Sequence, residues 1–330
     1  MKYFLIAGEA SGDLHASALI EQLREQDPQA EFAFLGGDLM AQASGRQPVI
    51  HYRDMAYMGF VEVARHAGQV LRNFKRARRA IDEFKPDRLI LIDYPSFNLK
   101  MAAHARKRGI EVCYYISPKV WAWKSWRVKT IKKVVDKMLV IFPFEVPFYA
   151  ERGMAVNYVG NPSVEEVDAK LAAAPGREEF IKRNRLPERK KIIALLPGSR
   201  MSEIRTNLPL MVDAAKRFPQ YRAVIAGAPG IDPAVYERYG SNIPVVHDQT
   251  FDLLANSHAA VVTSGTATLE TALAGVPQVA VFRNCGSKLV YKIMRRIIKG
   301  RFVTLPNLIA DDEIIPELLL HLCTADTIAD

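Results

Sequence analysis

Short apolar runs alternate along this chain with longer stretches of helical period. Lys2–Ala7, Glu31–Gly36, Arg88–Ile92, Glu111–Ile116 and Lys137–Phe142 read as strands. So do Lys191–Leu196, Arg222–Ala226, Pro244–Val246, Ala259–Thr263 and Gln278–Phe282. Between them apolar residues return with a period near 3.6, as in Phe60, Val63, Ala67, Val70, Leu71, Phe74, Ala77 and Ile81. Strands alternating with helices predict parallel sheets covered on both faces. "NYVGNPSVEEV", Asn157 to Val167, interrupts the pattern, and a charged segment with Pro175, Gly176 and Pro187 follows before the next strand. The expectation is an α/β chain of two doubly wound halves, residues 1–160 and 161–330.

The 330 residues suit two domains, and 49 % hydrophobic residues suffice for two cores. Cys113, Cys285 and Cys323 are widely spaced, with no CxxC or Cys/His cluster, so neither a disulfide framework nor a metal site is expected. The apolar run Tyr3 to Ala7 is too short for a signal-peptide core, and no run approaches the ~20 residues that span a bilayer. A cytosolic or peripheral protein in a reducing compartment fits. The formal charge of +9 admits nucleic acid, an anionic membrane or a phosphorylated substrate as partner.

In doubly wound sheets ligands bind beyond the C-terminal ends of the strands, so the loops after strands carry the chemistry. The first is "GEASGDLHA", whose small residues Gly8, Ala10, Ser11 and Gly12 let backbone N–H groups approach a ligand at a helix start. Its spacing is not GxGxxG. Asp13 is expected to cap that helix, which leaves Glu9 without a structural task. In "LIDYPSFNLK", Asp93 ends a buried strand, where desolvation raises a carboxyl toward the range of a useful base. An Asx-turn ahead of Pro95 explains Asp93 equally well.

"SPKVWAWKSWRVKTIKK" interleaves Trp121, Trp123 and Trp126 with Lys119, Lys124, Arg127 and Lys129. Packing is the plainest reading; stacking on nucleic-acid bases and a seat at a membrane interface are the others. In "LLPGSRMSEI", Gly198 and Ser199 offer backbone donors and Arg200 a forked cation, a set that suits phosphate. Taken alone, that loop is better explained as a plain turn. "TSGTATLE" shifts the balance. Ser264, Gly265 and Thr266 open a helix after a strand, and Glu270 lies one helical turn beyond Thr266, on the same face. Core packing accounts for Leu269, Ala272, Leu273 and Val276 but not for Glu270. An acid that accepts from ribose hydroxyls does.

Two such halves with a nucleotide element in the second resemble the GT-B glycosyltransferase architecture, two Rossmann-like domains facing a cleft. The ordered set "AGEASGD", "MGFVEV", "IDYPSFN", "YYISPKVWAWKSWRVKTI", "FPFE", "LLPGSR", "SGTATLE" and "LPNLIA" resembles the lipid-A-disaccharide synthase family, from residue 7 to residue 310. The resemblance implies an inverting transfer of 2,3-diacylglucosamine from its UDP conjugate to 2,3-diacylglucosamine 1-phosphate. The new bond is β-1,6 and UDP is released. It implies no cofactor and no metal, and the chain has no DxD motif at a strand end. It assigns Asp93 as general base, Glu9 and Asn307 as residues needed for activity, and Arg200 as a nucleotide-site cation. Gly198 and Ser199 stand beside Arg200 in that site. Ser264, Gly265, Thr266 and Glu270 match the UDP contacts. It places the acceptor in the N-terminal half and UDP in the C-terminal half.

The chain departs from the family's usual residues at Ser96 and Asn161, and the first departure leaves Asp93 the only carboxylate in its loop. Relatives continue beyond "IPELLLHL", so a truncated C-terminus is expected. A cytoplasmic protein attached peripherally to the inner face of the inner membrane follows from acylated substrates, and a homodimer is compatible. Two basic amphipathic segments are candidates for attachment, Ser287 to Gly300 and "AYMGFVEV" with the nearby Arg72, Lys75, Arg76, Arg78 and Arg79. A nucleic-acid module leaves Glu270 and the two α/β halves unexplained, and no RNP, KH or helix-turn-helix signature is present. The nearest rival is another GT-B protein, such as a UDP-N-acetylglucosamine 2-epimerase.

Overall fold

A computed structural model of the chain describes residues 1–55, 67–122, 125–187, 190–283 and 302–330. It divides into two compact units, Met1–Asn161 and Pro162–Asp330. Each is built on one parallel sheet. The first contains β1 (Lys2–Ala7), β2 (Glu31–Gly36), β3 (Ile50–His51), β4 (Arg88–Ile92), β5 (Glu111–Tyr115), β6 (Lys137–Val140) and β7 (Asn157–Tyr158). Their order is β3-β2-β1-β4-β5-β6-β7. The second contains β8 (Ile192–Leu196), β9 (Arg222–Gly227), β10 (Val245–His247), β11 (Ser257–Thr263), β12 (Gln278–Phe282) and β13 (Glu317–Leu319), in the order β10-β9-β8-β11-β12-β13.

Burial follows from the two-residue period of a strand with helices on both sides. Along β1, Phe4 and Ile6 enter one core while Tyr3, Leu5 and Ala7 enter the other. In the second unit Ala194 and Leu196 of β8 enter one core and Leu195 the other. In each sheet the chain starts in the middle, winds outward one way, then returns to wind the other way. That reversal leaves a switch point between β1 and β4 and another between β8 and β11. At such a point the loops leaving two neighbouring strands diverge and open a crevice.

The helix Ala67–Phe84 buries Ala77 and Ile81 as its period predicts. Leu71, expected on the same face, is 62 % exposed. Asn73 is buried instead, with Nδ2 donating to the Asp54 carbonyl at 2.8 Å. Phe60, Val63 and the segments Ala56–Val63 and Ser287–Gly300 lie outside the described residues.

Candidate active site

Both switch points carry loops that hold the candidate residues. In the first unit Ala7 pairs with Ile92, so the loops holding Glu9 and Asp93 leave adjacent strands at the same end. Gly8, Glu9, Ser11, Gly12, Ile92, Asp93 and Tyr94 line one small depression there. Glu9 occupies the N-cap position of the helix Ala10–Gln26, yet its side chain makes no capping hydrogen bond. Asp13, expected to cap that helix, lies inside it and caps a different one. Its carboxylate accepts from the N–H groups of Gly37 at 2.6 Å, Leu39 at 3.1 Å and Met40 at 3.3 Å, at the start of Asp38–Ser44. A position in the first turn of one helix faces the orphan donors of the next helix across the sheet end, and those donors need an acceptor.

Asp93 and Tyr94 follow β4 with φ of 41° and 44°, both in the left-handed region. For non-glycine residues such backbone costs about 1–3 kcal/mol each and persists only where the surroundings over-determine it. The Tyr94 ring lies over Gly8, where a Cβ would come within 2.3 Å of Tyr94 Cγ. The Tyr94 hydroxyl donates to the Met55 carbonyl at 2.7 Å. Burial, then the charge of Glu9, push the Asp93 carboxyl above its ordinary range; Lys119 and the Tyr94 N–H pull the other way. A half-buried carboxyl with a raised pKa beside a second carboxylate has the character of a base.

The tryptophan loop divides. Trp121 packs edge-on against Phe144 at 5.0 Å, Trp126 is 65 % exposed, and Trp123 lies outside the described residues.

In the second unit Leu196 pairs with Val262, so the loops carrying Gly198–Arg200 and Ser264–Thr266 also leave adjacent strands. Gly198 sits at φ 104°, and a Cβ there would come within 2.4 Å of Glu203 Oε2. The Ser199 and Arg200 N–H groups donate to that oxygen at 3.2 and 3.3 Å, and Arg200 Nη1 donates to Oε1 at 2.9 Å. Glu203 thus already holds the Ser199 and Arg200 donors read as phosphate ligands. Glu203 sits in the first turn of the helix Met201–Ala215 and accepts from the N-cap Arg200 N–H, the half of a capping box that an arginine, which has no side-chain acceptor, leaves possible.

Ser264 N–H donates to the Val281 carbonyl at 2.8 Å, while Gly265 and Thr266 are exposed at the start of Thr266–Leu273. Asn207 is buried and joins the strand ends, with Nδ2 donating to Thr263 Oγ1 at 3.0 Å and Oδ1 accepting from the Arg283 N–H at 3.1 Å. No sequence reading singled it out, because one asparagine in an apolar helix carries no motif. Glu270 is half-buried, and burial, then Glu166, raise its carboxyl against the pull of Lys170.

Asn307 is fully buried in Leu305–Ala310. Its Nδ2 donates to the Ile315 carbonyl and Glu317 Oε1, and its Oδ1 accepts from the Ile314 and Ile315 N–H groups, all at 2.9–3.0 Å. The amide is fully employed within its own loop. Among the described residues no group of three or more His, Cys, Asp or Glu is arranged to hold a metal ion.

Comparisons with known proteins agree with this geometry. Solved UDP-GlcNAc 2-epimerases share the fold. A putative one from Listeria monocytogenes matches with TM-score 0.66 at 12 % identity, over 99 % of this chain and 85 % of that one. The enzyme from Neisseria meningitidis, bound to UDP-GlcNAc, matches with TM-score 0.62 at 12 % identity, over 94 % and 90 %. Sequence relatives are much nearer. The lipid-A-disaccharide synthase of Myxococcus xanthus is 41 % identical, over 100 % of this chain and 86 % of its own length. That of Geobacter sulfurreducens is 37 % identical, over 99 % and 86 %. The family model described as lipid-A-disaccharide synthetase matches residues 3–330. The match of the family model along residues 3–330, with a relative at 41 % identity over the whole chain, makes this chain a member of the lipid-A-disaccharide synthetase family.

Proposed function

We propose that Asp93 is the general base of the glycosyl transfer that forms the lipid A disaccharide, and that Met1–Asn161 serves the acceptor while Pro162–Asp330 serves UDP. The supporting observation is the half-buried Asp93 carboxyl, raised by burial and by Glu9 at a switch point. The donor is UDP-2,3-diacylglucosamine and the acceptor 2,3-diacylglucosamine 1-phosphate. Asp93 takes the proton of the acceptor 6-hydroxyl as that oxygen attacks the anomeric carbon. The bond to the diphosphate breaks on the opposite face, its electron pair leaves with UDP, and the centre inverts. Glu9 keeps Asp93 basic.

Arg200, the N–H groups of Gly198–Arg200 and the Ser264–Thr266 turn receive the leaving diphosphate, whose oxygens replace Glu203 as acceptor. Such donors stabilise charge as it develops. Glu270 accepts from the ribose. Asn307 is a positioning residue that holds residues 314–317 against its own helix. Peripheral attachment to an anionic membrane is supported by Arg72, Lys75, Arg76, Arg78 and Arg79, all exposed on Ala67–Phe84 beside the exposed Leu71. No helix among the described residues is long and apolar enough to cross a membrane.

Mass analysis of the product from both acylated substrates tests the reading. The expected result is a disaccharide 1-phosphate and one UDP per bond formed. UDP release at the same rate without acceptor overturns it.

A further inference from the structure

Asp93 and Tyr94 are consecutive left-handed residues that are neither glycine nor asparagine. Something must hold them there, and most of it reaches one atom, the main-chain carbonyl oxygen of Asp93. The Tyr114 hydroxyl, from the neighbouring strand β5, donates to it at 2.5 Å. Asn98 Nδ2 donates to it at 2.8 Å and to the Ile92 carbonyl at 3.1 Å. The Asp93 N–H donates back to the Tyr115 carbonyl at 3.3 Å.

Both side chains are fully buried, so neither touches a substrate. Packing alone is a poor reason for them. Asn98 Oδ1 is buried without a hydrogen-bond partner among the described residues, a penalty that an apolar side chain of similar size avoids. Burial, then the charge of Asp93, hold the Tyr114 hydroxyl well above its ordinary pKa of 10, so it remains a donor wherever the enzyme works.

We propose that Tyr114 and Asn98 are positioning residues of the glycosyl transfer, which together clamp the Asp93 carbonyl and hold its left-handed turn so that the carboxyl stays at the acceptor. The proposal rests on the reading of Asp93 as the base. It gives the clamp a consequence that ordinary core polar groups lack. When the carbonyl is released, the turn relaxes toward commoner backbone and the carboxyl moves away from the 6-hydroxyl and toward water. Turnover falls, and the carboxyl returns toward its ordinary range because burial, the largest cause of its shift, is reduced.

The test uses Tyr114→Phe, which removes one oxygen and keeps the ring, and Asn98→Leu, which removes both donors and the orphan acceptor. In each, kcat is expected to fall about tenfold to a hundredfold, as for a small misplacement of a reacting group. KM for the UDP donor and the Kd for UDP stay as in the parent. The acidic limb of the kcat/KM profile moves to lower pH. In Asp93→Asn/Tyr114→Phe the second change is expected to add no further loss, since the two act as one unit.

A merely structural role lowers the melting temperature of both variants and leaves the acidic limb in place, which overturns the proposal. Turnover within about threefold of the parent in both variants also overturns it, as do losses that multiply in the double variant. Near-normal turnover in Asp93→Asn alone overturns the assignment of the base instead, so the two failures are told apart.

Discussion

The Asp93 carboxyl, proposed as the base, is shifted by causes of opposite sign. Burial and Glu9 raise its pKa, whereas Lys119, exposed on the loop after β5, and the Tyr94 N–H lower it. Its base form is the ionised one, so activity fades as pH falls through the raised pKa. Glu9→Gln removes a raising charge and is expected to move the acidic limb of the kcat/KM profile to lower pH. Lys119→Met is expected to move it to higher pH. Asp93→Asn should lose about 10²–10⁴-fold in turnover, the usual worth of a general base, with UDP affinity little changed by calorimetry. Asp93 and Glu9 were legible as candidates in the sequence because each stands where a buried strand meets a loop. Tyr114 and Asn98 were not, since a tyrosine in a strand and an asparagine in a helix look like ordinary filling until their donors are seen on one carbonyl.

At the scale of elements, two glutamates in the first turns of helices hold backbone donors. Glu203 accepts from the Ser199 and Arg200 N–H groups at the start of Met201–Ala215, the donors proposed to receive the diphosphate. Glu203→Gln keeps an acceptor for the helix but removes the charge. It should tighten UDP binding by roughly threefold to thirtyfold in calorimetry, while Arg200→Ala weakens it. Glu145 is buried after β6, with Oε2 accepting from the Ile141 and Phe142 N–H groups at 3.3 and 3.1 Å. Burial raises it from 4.5 to about 7 against those donors and Ser117.

The folded state therefore binds this proton more tightly than the unfolded chain. The stability so gained is full below pH 4.5 and is lost as pH rises to about 7. Glu145→Gln should remove that part of the decline, on the order of 3 kcal/mol, read from melting curves across the window. The capping of Asp38–Ser44 by Asp13 belongs to this scale too. Spacing pointed to the acid's own helix, whereas the sheet brings the needy donors of the next helix to it.

Across the whole molecule, surface charge and sheet topology are the two large features. The exposed bases of Ala67–Phe84 should bring the protein down with anionic vesicles, and raised salt should release it, while neutral vesicles leave it free. Flotation of the intact protein measures this, and equal recovery with both vesicle types would remove the membrane reading. Each strand inferred from an apolar run is present, with ends shifted by at most two residues. Among the described residues, β3, β7 and β13 are the strands that no apolar run announced. These are edge strands of two or three residues, which pairing with a neighbour creates and no local pattern announces.

By itself, then, the sequence determined the alternation of strand and helix, the two halves and the family, and it marked the loops that hold the candidate residues. These depend on local periodicity and short contiguous motifs. Only the tertiary structure decided that Glu203 fills the Arg200 loop, that Asn307 is consumed by its own turn, and that Tyr114 and Asn98 converge on Asp93. The partners in those contacts are set by strand order and by which buried donors remain unsatisfied once the sheets have formed.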